Sequence, residues 1–237
     1  MKTALVTGAT SGIGEAIALK LLDMNYKVYG VARDFEKLTI EDENFIKVEL
    51  DLSCTKTVNS VISDLNKHTL FDVLVNSAGF GLFGPYEDIS VESLEQLIDT
   101  NLKAPLIITK LLLKNLKKTK GFIINISSIE AIKNSRFSAA YSATKAGLRH
   151  FSLSLFEEVR KSGVKVVSIN PDMTKTPFYD ELRFSTSKDP LSYITPKCIS
   201  DTVEYILTAR EGTVITDITL RPQIVKIEKK SSKENFC

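Results

Sequence analysis

Tyr141 and Lys145 stand four residues apart in Ser-Ala-Ala-Tyr-Ser-Ala-Thr-Lys-Ala-Gly-Leu-Arg-His-Phe, residues 138–151. The stretch reads as helix, and on a continuous helix positions i and i+4 are neighbours, so a phenol and an ammonium lie one turn apart. The residues around them are mostly small, whereas a helix that only packs would fill this face with Leu or Ile. A free phenol titrates near pH ~10, and a cation beside it favours the phenolate. Such a pair could exchange a proton with a molecule seated in the space the small residues leave. The same spacing recurs at Tyr193 and Lys197, but Pro196 falls inside it. Thr195-Pro196 reads as an N-cap and first helical position, which places Tyr193 before that helix. Only the first pair is a candidate site.

The elements that must position this pair follow from the hydrophobic pattern. Short β-branched runs at Lys2–Thr7, Lys27–Ala32, Phe45–Leu50, Asp72–Asn76, Gly121–Ser127, Val164–Asn170 and Thr213–Leu220 predict strands. Helical patterns alternate with them at Gly12–Met24, Ser53–Asn66, Val91–Leu116, Ala139–Lys161 and Pro196–Ala209. This alternation predicts an α/β, single-domain, Rossmann-type doubly wound fold, with a seven-stranded, mostly parallel sheet and helices on both faces. The 237 residues allow one such domain, expected over residues 1–225. Residues 177–195 have weak periodicity and read as a loop or substrate lid. Residues 226–237, Lys-Ile-Glu-Lys-Lys-Ser-Ser-Lys-Glu-Asn-Phe-Cys, read as a polar, solvated tail.

Composition excludes several classes. The formal charge of +2 gives no field that would draw nucleic acid. No apolar run approaches the ~20 residues of a membrane span, and the apolar run before Thr7-Gly8 is too short for a signal peptide. Cys54, Cys198 and Cys237 are far apart and form no CxxC or Cys/His cluster, so neither a disulfide framework nor a metal site is expected. A soluble protein of the reducing cytoplasm is the expectation. No GxSxG elbow supports a serine hydrolase, and His68 and His150 stand alone.

The first predicted strand runs into Thr7-Gly8-Ala9-Thr10-Ser11-Gly12-Ile13-Gly14, which opens a helix. Glycines there permit a tight turn and close backbone approach to a pyrophosphate. The helix N-terminus offers unpaired N–H groups and the positive end of its dipole. The spacing is GxxxGxG rather than GxGxxG, which points to a distinct group of dinucleotide binders.

With these motifs the chain resembles the short-chain dehydrogenase/reductase family from about Lys2 to Pro222. The loop matches that family's TGxxxGxG, and Asn76-Ser77-Ala78-Gly79 is similar to its NNAG. Asn101, Ser128, Tyr141 and Lys145 fall at its catalytic asparagine, serine and YxxxK positions. The resemblance implies that Tyr141 is the general acid/base, that Lys145 lowers its pKa and holds the nicotinamide ribose, and that Ser128 hydrogen-bonds the substrate oxygen. Asn101 would hold a water linking Lys145 to solvent. The resemblance also assigns cofactor contacts to Gly8, Thr10, Ser11, Gly12, Ile13, Gly14, Arg33, Asp51, Leu52, Asn76, Ala78, Gly79, Pro171, Thr174 and Thr176, besides Tyr141 and Lys145. In relatives Thr176 meets the nicotinamide carboxamide. The sequence departs from the family at Pro171-Asp172, where Pro-Gly is usual. A glycine there lets the backbone turn closely about the nicotinamide; aspartate tolerates unusual dihedrals better than most residues.

The second predicted strand ends in Ala32-Arg33-Asp34. An NAD site commonly places a carboxylate here for the ribose 2′-hydroxyl, whereas a 2′-phosphate needs a cation. Arg33 therefore points to NADP(H), with Ser11 adding a hydroxyl, and Asp34 reads as the N-cap of a short turn over Asp-Phe-Glu-Lys-Leu. The expected reaction is hydride transfer between NADP(H) and a small carbonyl or secondary alcohol. Phe80, Leu82, Phe83, Phe137, Met173, Phe178, Tyr179 and Phe184 are candidate pocket walls, suggesting a partly apolar substrate. Three other readings stay open: an NAD-dependent alcohol dehydrogenase, a non-enzymatic dinucleotide-binding regulator, and a sugar-nucleotide epimerase, for which little chain remains after Asn170. The helix over Leu102–Lys118 carries Leu106, Leu111, Leu112 and Leu116 and is expected to face the core. In relatives it also packs in a dimer interface, so a homodimer or homotetramer is expected.

Overall fold

The computed structural model describes residues 1–36 and 38–230. Seven strands form one sheet: β1 (Lys2–Thr7), β2 (Tyr26–Ala32), β3 (Phe45–Glu49), β4 (Val73–Asn76), β5 (Phe122–Ile126), β6 (Lys165–Pro171) and β8 (Asp217–Leu220). Their order is β3-β2-β1-β4-β5-β6-β8, and every neighbouring pair is parallel. The chain reverses direction across the sheet between β1 and β4, and in open α/β sheets ligands bind at the strand ends beside such a switch point.

Period-two side-chain alternation assigns each strand residue to one of two cores. Ala4, Val6, Val73, Val75, Ile124 and Val167 face helices α1 (Gly12–Asp23) and α6 (Pro196–Thr208) through Ile17, Leu21, Ile199 and Val203. On the opposite face Leu5, Leu74, Ile123 and Val166 meet α2 (Thr55–His68), α4 (Ala104–Thr119) and α5 (Ala139–Val159). Ile108, Leu112 and Leu116 recur at helical spacing on α4 and are fully buried. Each contributes roughly 1.5–3 kcal/mol by leaving water, so this lysine-rich helix is core-facing as expected. Among the described residues no helix is long and apolar enough to cross a membrane.

Three segments differ from the sequence expectation. The helix expected over Val91–Leu116 is interrupted: α3 (Val91–Ile98) passes into a π-helical turn, Asp99–Lys103, before α4 begins. An extra residue in a helical turn re-aims the side chains there, and it places Asn101 at zero exposure. The last strand of the sheet starts at Asp217 rather than Thr213, where Arg149 of α5 pairs with the Asp217 carboxylate. The segment 177–195 is not a plain loop. It holds two 3-10 turns, Pro177–Tyr179 and Pro190–Ser192, and a short strand β7 (Phe184–Thr186). That strand pairs antiparallel with β9 (Ile227–Lys229), from the stretch read as a solvated tail. The Lys230 ammonium adds hydrogen bonds of 2.6 and 2.7 Å to the carbonyls of Tyr179 and Asp180. Residues 231–237, with Cys237, lie outside the described residues.

Candidate active site

The glycine loop leaves β1 at the switch point. Gly8 and Gly12 take positive φ of 70° and 56°, which L side chains rarely adopt. A Cβ on Gly14 would stand 2.1 Å from the Gly8 carbonyl oxygen, and one on Gly8 would stand 2.9 Å from Ala78 Cα. The loop is thus wound tightly on itself and against the end of β4. Ser11 is the N-cap of α1, yet its hydroxyl makes no capping hydrogen bond. Both the hydroxyl and the N-terminal amides of α1 remain available to an anion. Thr7, buried beneath, accepts hydrogen bonds from the amides of Ser77 and Ala78 at 3.0 and 3.1 Å. This ties the loop after β1 to the loop after β4.

Gly8, Ser11, Gly12, Ile13 and Gly14 line one cavity, and Ala78, Gly79, Pro171, Thr174 and Thr176 complete its walls with Ser128, Tyr141 and Lys145. The structure therefore brings together residues from five separate segments. Thr10 lines a neighbouring depression instead. Asn76 is buried below the cavity rather than lining it. Its amide donates to Asn125 Oδ1 at 2.7 Å, and Asn125 in turn donates to Ser152 of α5 at 2.8 Å. Asn76 thus holds β4, β5 and α5 together, and its own Oδ1 is a buried oxygen with no hydrogen-bond partner. Leu52 is likewise a core residue, while Asp51 is exposed and accepts from the amide and hydroxyl of Ser53. Arg33 and Asp51 share the C-terminal edge of β2 and β3, where Leu50 N–H donates to the Ala32 carbonyl at 2.8 Å. In the turn after Asp34 the Leu38 N–H donates to the Phe35 carbonyl at 3.2 Å, and no helix is found among the described residues there.

Ser128 follows β5, and its Oγ accepts from the Glu130 amide at 3.1 Å, which leaves the hydroxyl proton free to be donated elsewhere. Glu130, which sequence reasoning passed over, accepts from Ser135 and Ser138 at 2.9 Å each and from Ser142 at 3.3 Å. Its carboxylate thereby anchors the first turn of α5, the turn that carries Tyr141. The only sequence sign of this was three serines spaced after a lone acid. Lys145 is 5% exposed and donates to the Ile126 carbonyl at 3.0 Å, while its own carbonyl accepts from Ser127 at 2.8 Å. The ammonium lies 5.9 Å from the centre of the Tyr141 ring. Asn101 grips Phe80 in both directions, accepting from its amide at 3.1 Å and donating to its carbonyl at 2.9 Å. A Cβ at Gly79 would come within 3.0 Å of Asn101 Oδ1 and 3.4 Å of Lys145 Nζ, so only glycine lets both approach.

The electrostatics differ from the sequence expectation. Burial pushes the Tyr141 phenol well above its ordinary value, and the Ser128 hydroxyl opposes this. Burial also brings the Lys145 ammonium down to about 8. Both groups are buried, Tyr141 against the rings of Phe83 and Phe178, and desolvation disfavours the charged form of each. Asp172 is the other surprise. It lies 8% exposed in the cavity wall, accepts from the Met173 amide at 2.9 Å and pairs with Arg221 at 3.0 Å. Its backbone has no positive φ. The departure from Pro-Gly thus introduces a paired carboxylate rather than a strained turn.

A tight anion-ready loop beside a buried serine, tyrosine and lysine suits a dinucleotide and a proton-transfer reaction. Comparisons agree with this. The sequence model of the family described as short chain dehydrogenase matches residues 2–186. An uncharacterized oxidoreductase of Staphylococcus epidermidis is 35% identical over 227 residues, covering 93% of this chain and 97% of that protein. Among solved structures, an alcohol dehydrogenase of the archaeon Thermococcus sibiricus, complexed with 5-hydroxy-NADP, is 26% identical with a TM-score of 0.84. It covers 94% of this chain and 97% of its own. A 4-hydroxyisoleucine dehydrogenase complexed with NADH has the same fold, with a TM-score of 0.84 at 24% identity, covering 94% of this chain and 98% of its own. The chain therefore belongs to the short-chain dehydrogenase/reductase family, as an oxidoreductase that works with a nicotinamide cofactor.

Proposed function

We propose that the protein is an NADPH-dependent carbonyl reductase, running in reverse as a secondary-alcohol dehydrogenase, with Tyr141 as its general acid/base. The observation that carries this reading is the convergence of Ser128, Tyr141 and Lys145 on the cavity that the glycine loop also lines. When bound, the nicotinamide supplies or accepts the hydride. The remaining work falls to this chain's side chains. Tyr141, protonated at neutral pH as a phenol is and held so more firmly by its burial, has a proton to give to a carbonyl oxygen that becomes basic during reduction. Ser128 donates its free hydroxyl hydrogen to the same oxygen as charge develops there. Lys145 holds a positive charge one turn below the phenol, which offsets the negative charge Tyr141 acquires on giving up its proton. Asn101 ties the Phe80 loop to α5 through its two bonds to Phe80 and a longer one to the Thr144 hydroxyl at 3.5 Å.

The preference for NADPH rests on Arg33. It follows β2 directly, is exposed, and makes no ion pair among the described residues, so its guanidinium is available for a 2′-phosphate. Ser11 offers a hydroxyl that makes no capping hydrogen bond at the start of α1. Asp34 is exposed beside Arg33 and is the one group that would favour a free 2′-hydroxyl.

The test of the catalytic assignment is Tyr141→Phe. Turnover with a panel of ketones and aldehydes should fall by about 10²–10⁴-fold while cofactor affinity holds, since the ring is kept and only the proton donor is lost. A variant retaining more than about a tenth of wild-type turnover would show that the proton comes from elsewhere.

A further inference from the structure

Five rings close a circuit around the candidate proton donor. Phe83 lies 5.1 Å from Tyr141, Tyr141 5.9 Å from Phe178, Phe178 5.2 Å from Tyr179, Tyr179 5.7 Å from Phe184, and Phe184 5.2 Å from Phe83. These are ordinary contact distances for tilted and edge-to-face aromatic pairs. The rings come from three parts of the chain. Phe83 is on the loop after β4, Tyr141 is on α5, and the other three lie on the segment bridged to β9. Gly81 lies beneath two of them: a Cβ there would be 2.6 Å from both Phe83 and Phe178. Phe137 and Met173, expected among the walls, take no part; Phe137 is 46% exposed.

The charged groups that line the cavity are few and already engaged. Of the residues lining the cavity, Lys145 is the one cation and Asp172 the one anion. Lys145 is held by the Ile126 carbonyl, and on the reading above it faces the cofactor. Asp172 is held by Arg221 and the Met173 amide. Tyr179, the one polar group that the circuit adds, is a neutral phenol, and burial raises it further, to about 12. A molecule reaching Tyr141 must replace ring–ring contacts with contacts of its own. An apolar or aromatic group can do so, whereas a carboxylate would lose its water, find no free cation among the residues lining the cavity and meet the Asp172 carboxylate.

Resting on the reductase reading, we infer that the substrate is a neutral carbonyl compound with an apolar, preferably aryl, group beside the carbonyl. The aromatic circuit of Phe83, Phe178, Tyr179 and Phe184 is its subsite, and hydroxy acids and amino acids are excluded.

A matched pair tests this: methyl 4-formylbenzoate and 4-formylbenzoate, which share the reacting aldehyde and differ in one buried charge. With the full chain and NADPH, kcat/KM for the ester should exceed that for the acid by at least ~30-fold, the effect of desolvating one unpaired charge. Phe83→Ala and Phe184→Ala should each lower kcat/KM for the ester by about tenfold, the loss expected for a buried aromatic contact. The Kd of NADPH should be unchanged in both. A second arm measures the Kd of each compound for the cofactor-loaded Tyr141→Phe variant, so it needs no turnover. Tighter binding of the ester there supports the apolar subsite. Equal kcat/KM for ester and acid, equal Kd values, or preferred oxidation of a hydroxy amino acid such as serine would overturn it. Binding of the ester with no reduction by the wild-type protein would instead overturn the reductase reading while leaving the subsite standing.

Discussion

Replacing Lys145 with methionine should stabilise the cofactor-free protein at neutral pH, and the gain should fade as the pH rises toward 10. Lys145 is 5% exposed, and burial lowers its ammonium from 10.5 to about 8. Because the folded value is the lower one, the unfolded chain binds more protons between about 8 and 10.5, and wild-type stability rises with pH across that window. Below it both states are charged, and the folded state carries the full cost of the desolvated ammonium. Converted at about 1.4 kcal/mol per pH unit, the separation sets a ceiling of roughly 3 kcal/mol at pH 7. Methionine fills much of the same space without titrating. It forfeits the hydrogen bond to the Ile126 carbonyl, a loss of about 1 kcal/mol that is nearly independent of pH. Ionisation of tyrosines in the unfolded chain is common to both proteins and cancels in the comparison. Urea unfolding of both proteins without cofactor, at steps from pH 7 to 10, should therefore show the variant's advantage falling by about 2 kcal/mol. A difference that stays flat to within about 0.5 kcal/mol over that range would refute the claim that Lys145 is held desolvated beside Tyr141. The same variant should bind cofactor poorly and turn over slowly, so the lysine would be kept at the expense of stability.

NADPH should bind at least about tenfold tighter than NADH, the usual scale of one charge-assisted bidentate contact, and Arg33→Ala should remove most of that gap; titration of both cofactors checks this, and equal affinities in the unmodified protein would sink the 2′-phosphate assignment. Lys230→Met should release the carbonyls of Tyr179 and Asp180, so amide exchange in residues 177–186 should quicken severalfold and KM for a carbonyl substrate should rise with the Kd of NADPH unchanged. Unaltered exchange would mean that the bridge to β9 does not hold the aromatic wall. Protection of residues 177–195 should also increase when cofactor and substrate are both bound, and equal protection with and without them would count against closure of this segment.

The fold and the residues that meet at the candidate site were legible in the sequence because both are written in local spacing. Strand and helix periods follow from hydrophobic alternation, and the predicted boundaries fall within about two residues of the observed ones for most elements. The glycine loop, Ser128 and the Tyr141–Lys145 turn are short motifs whose geometry follows from a helix start or a single helical turn. Even the separation of Tyr193 from the last helix followed from Pro196, with Thr195 found as its N-cap.

What only the tertiary structure decided depends on contacts between residues far apart in the chain. The pairing of β7 with β9 joins segments some forty residues apart, each too short and too polar to announce a strand, so the tail could be read only as solvated. The π-helical turn at Asn101 leaves no hydrophobic signature, because one extra residue in a turn does not interrupt an apolar pattern. The pKa of Tyr141 moves away from the sequence expectation for one reason. Spacing along a helix gives the distance between two charges, but the dielectric between and around them is set by what packs on top. Here that covering is a set of rings from three separate segments, and their meeting around Tyr141 is a property of the fold alone.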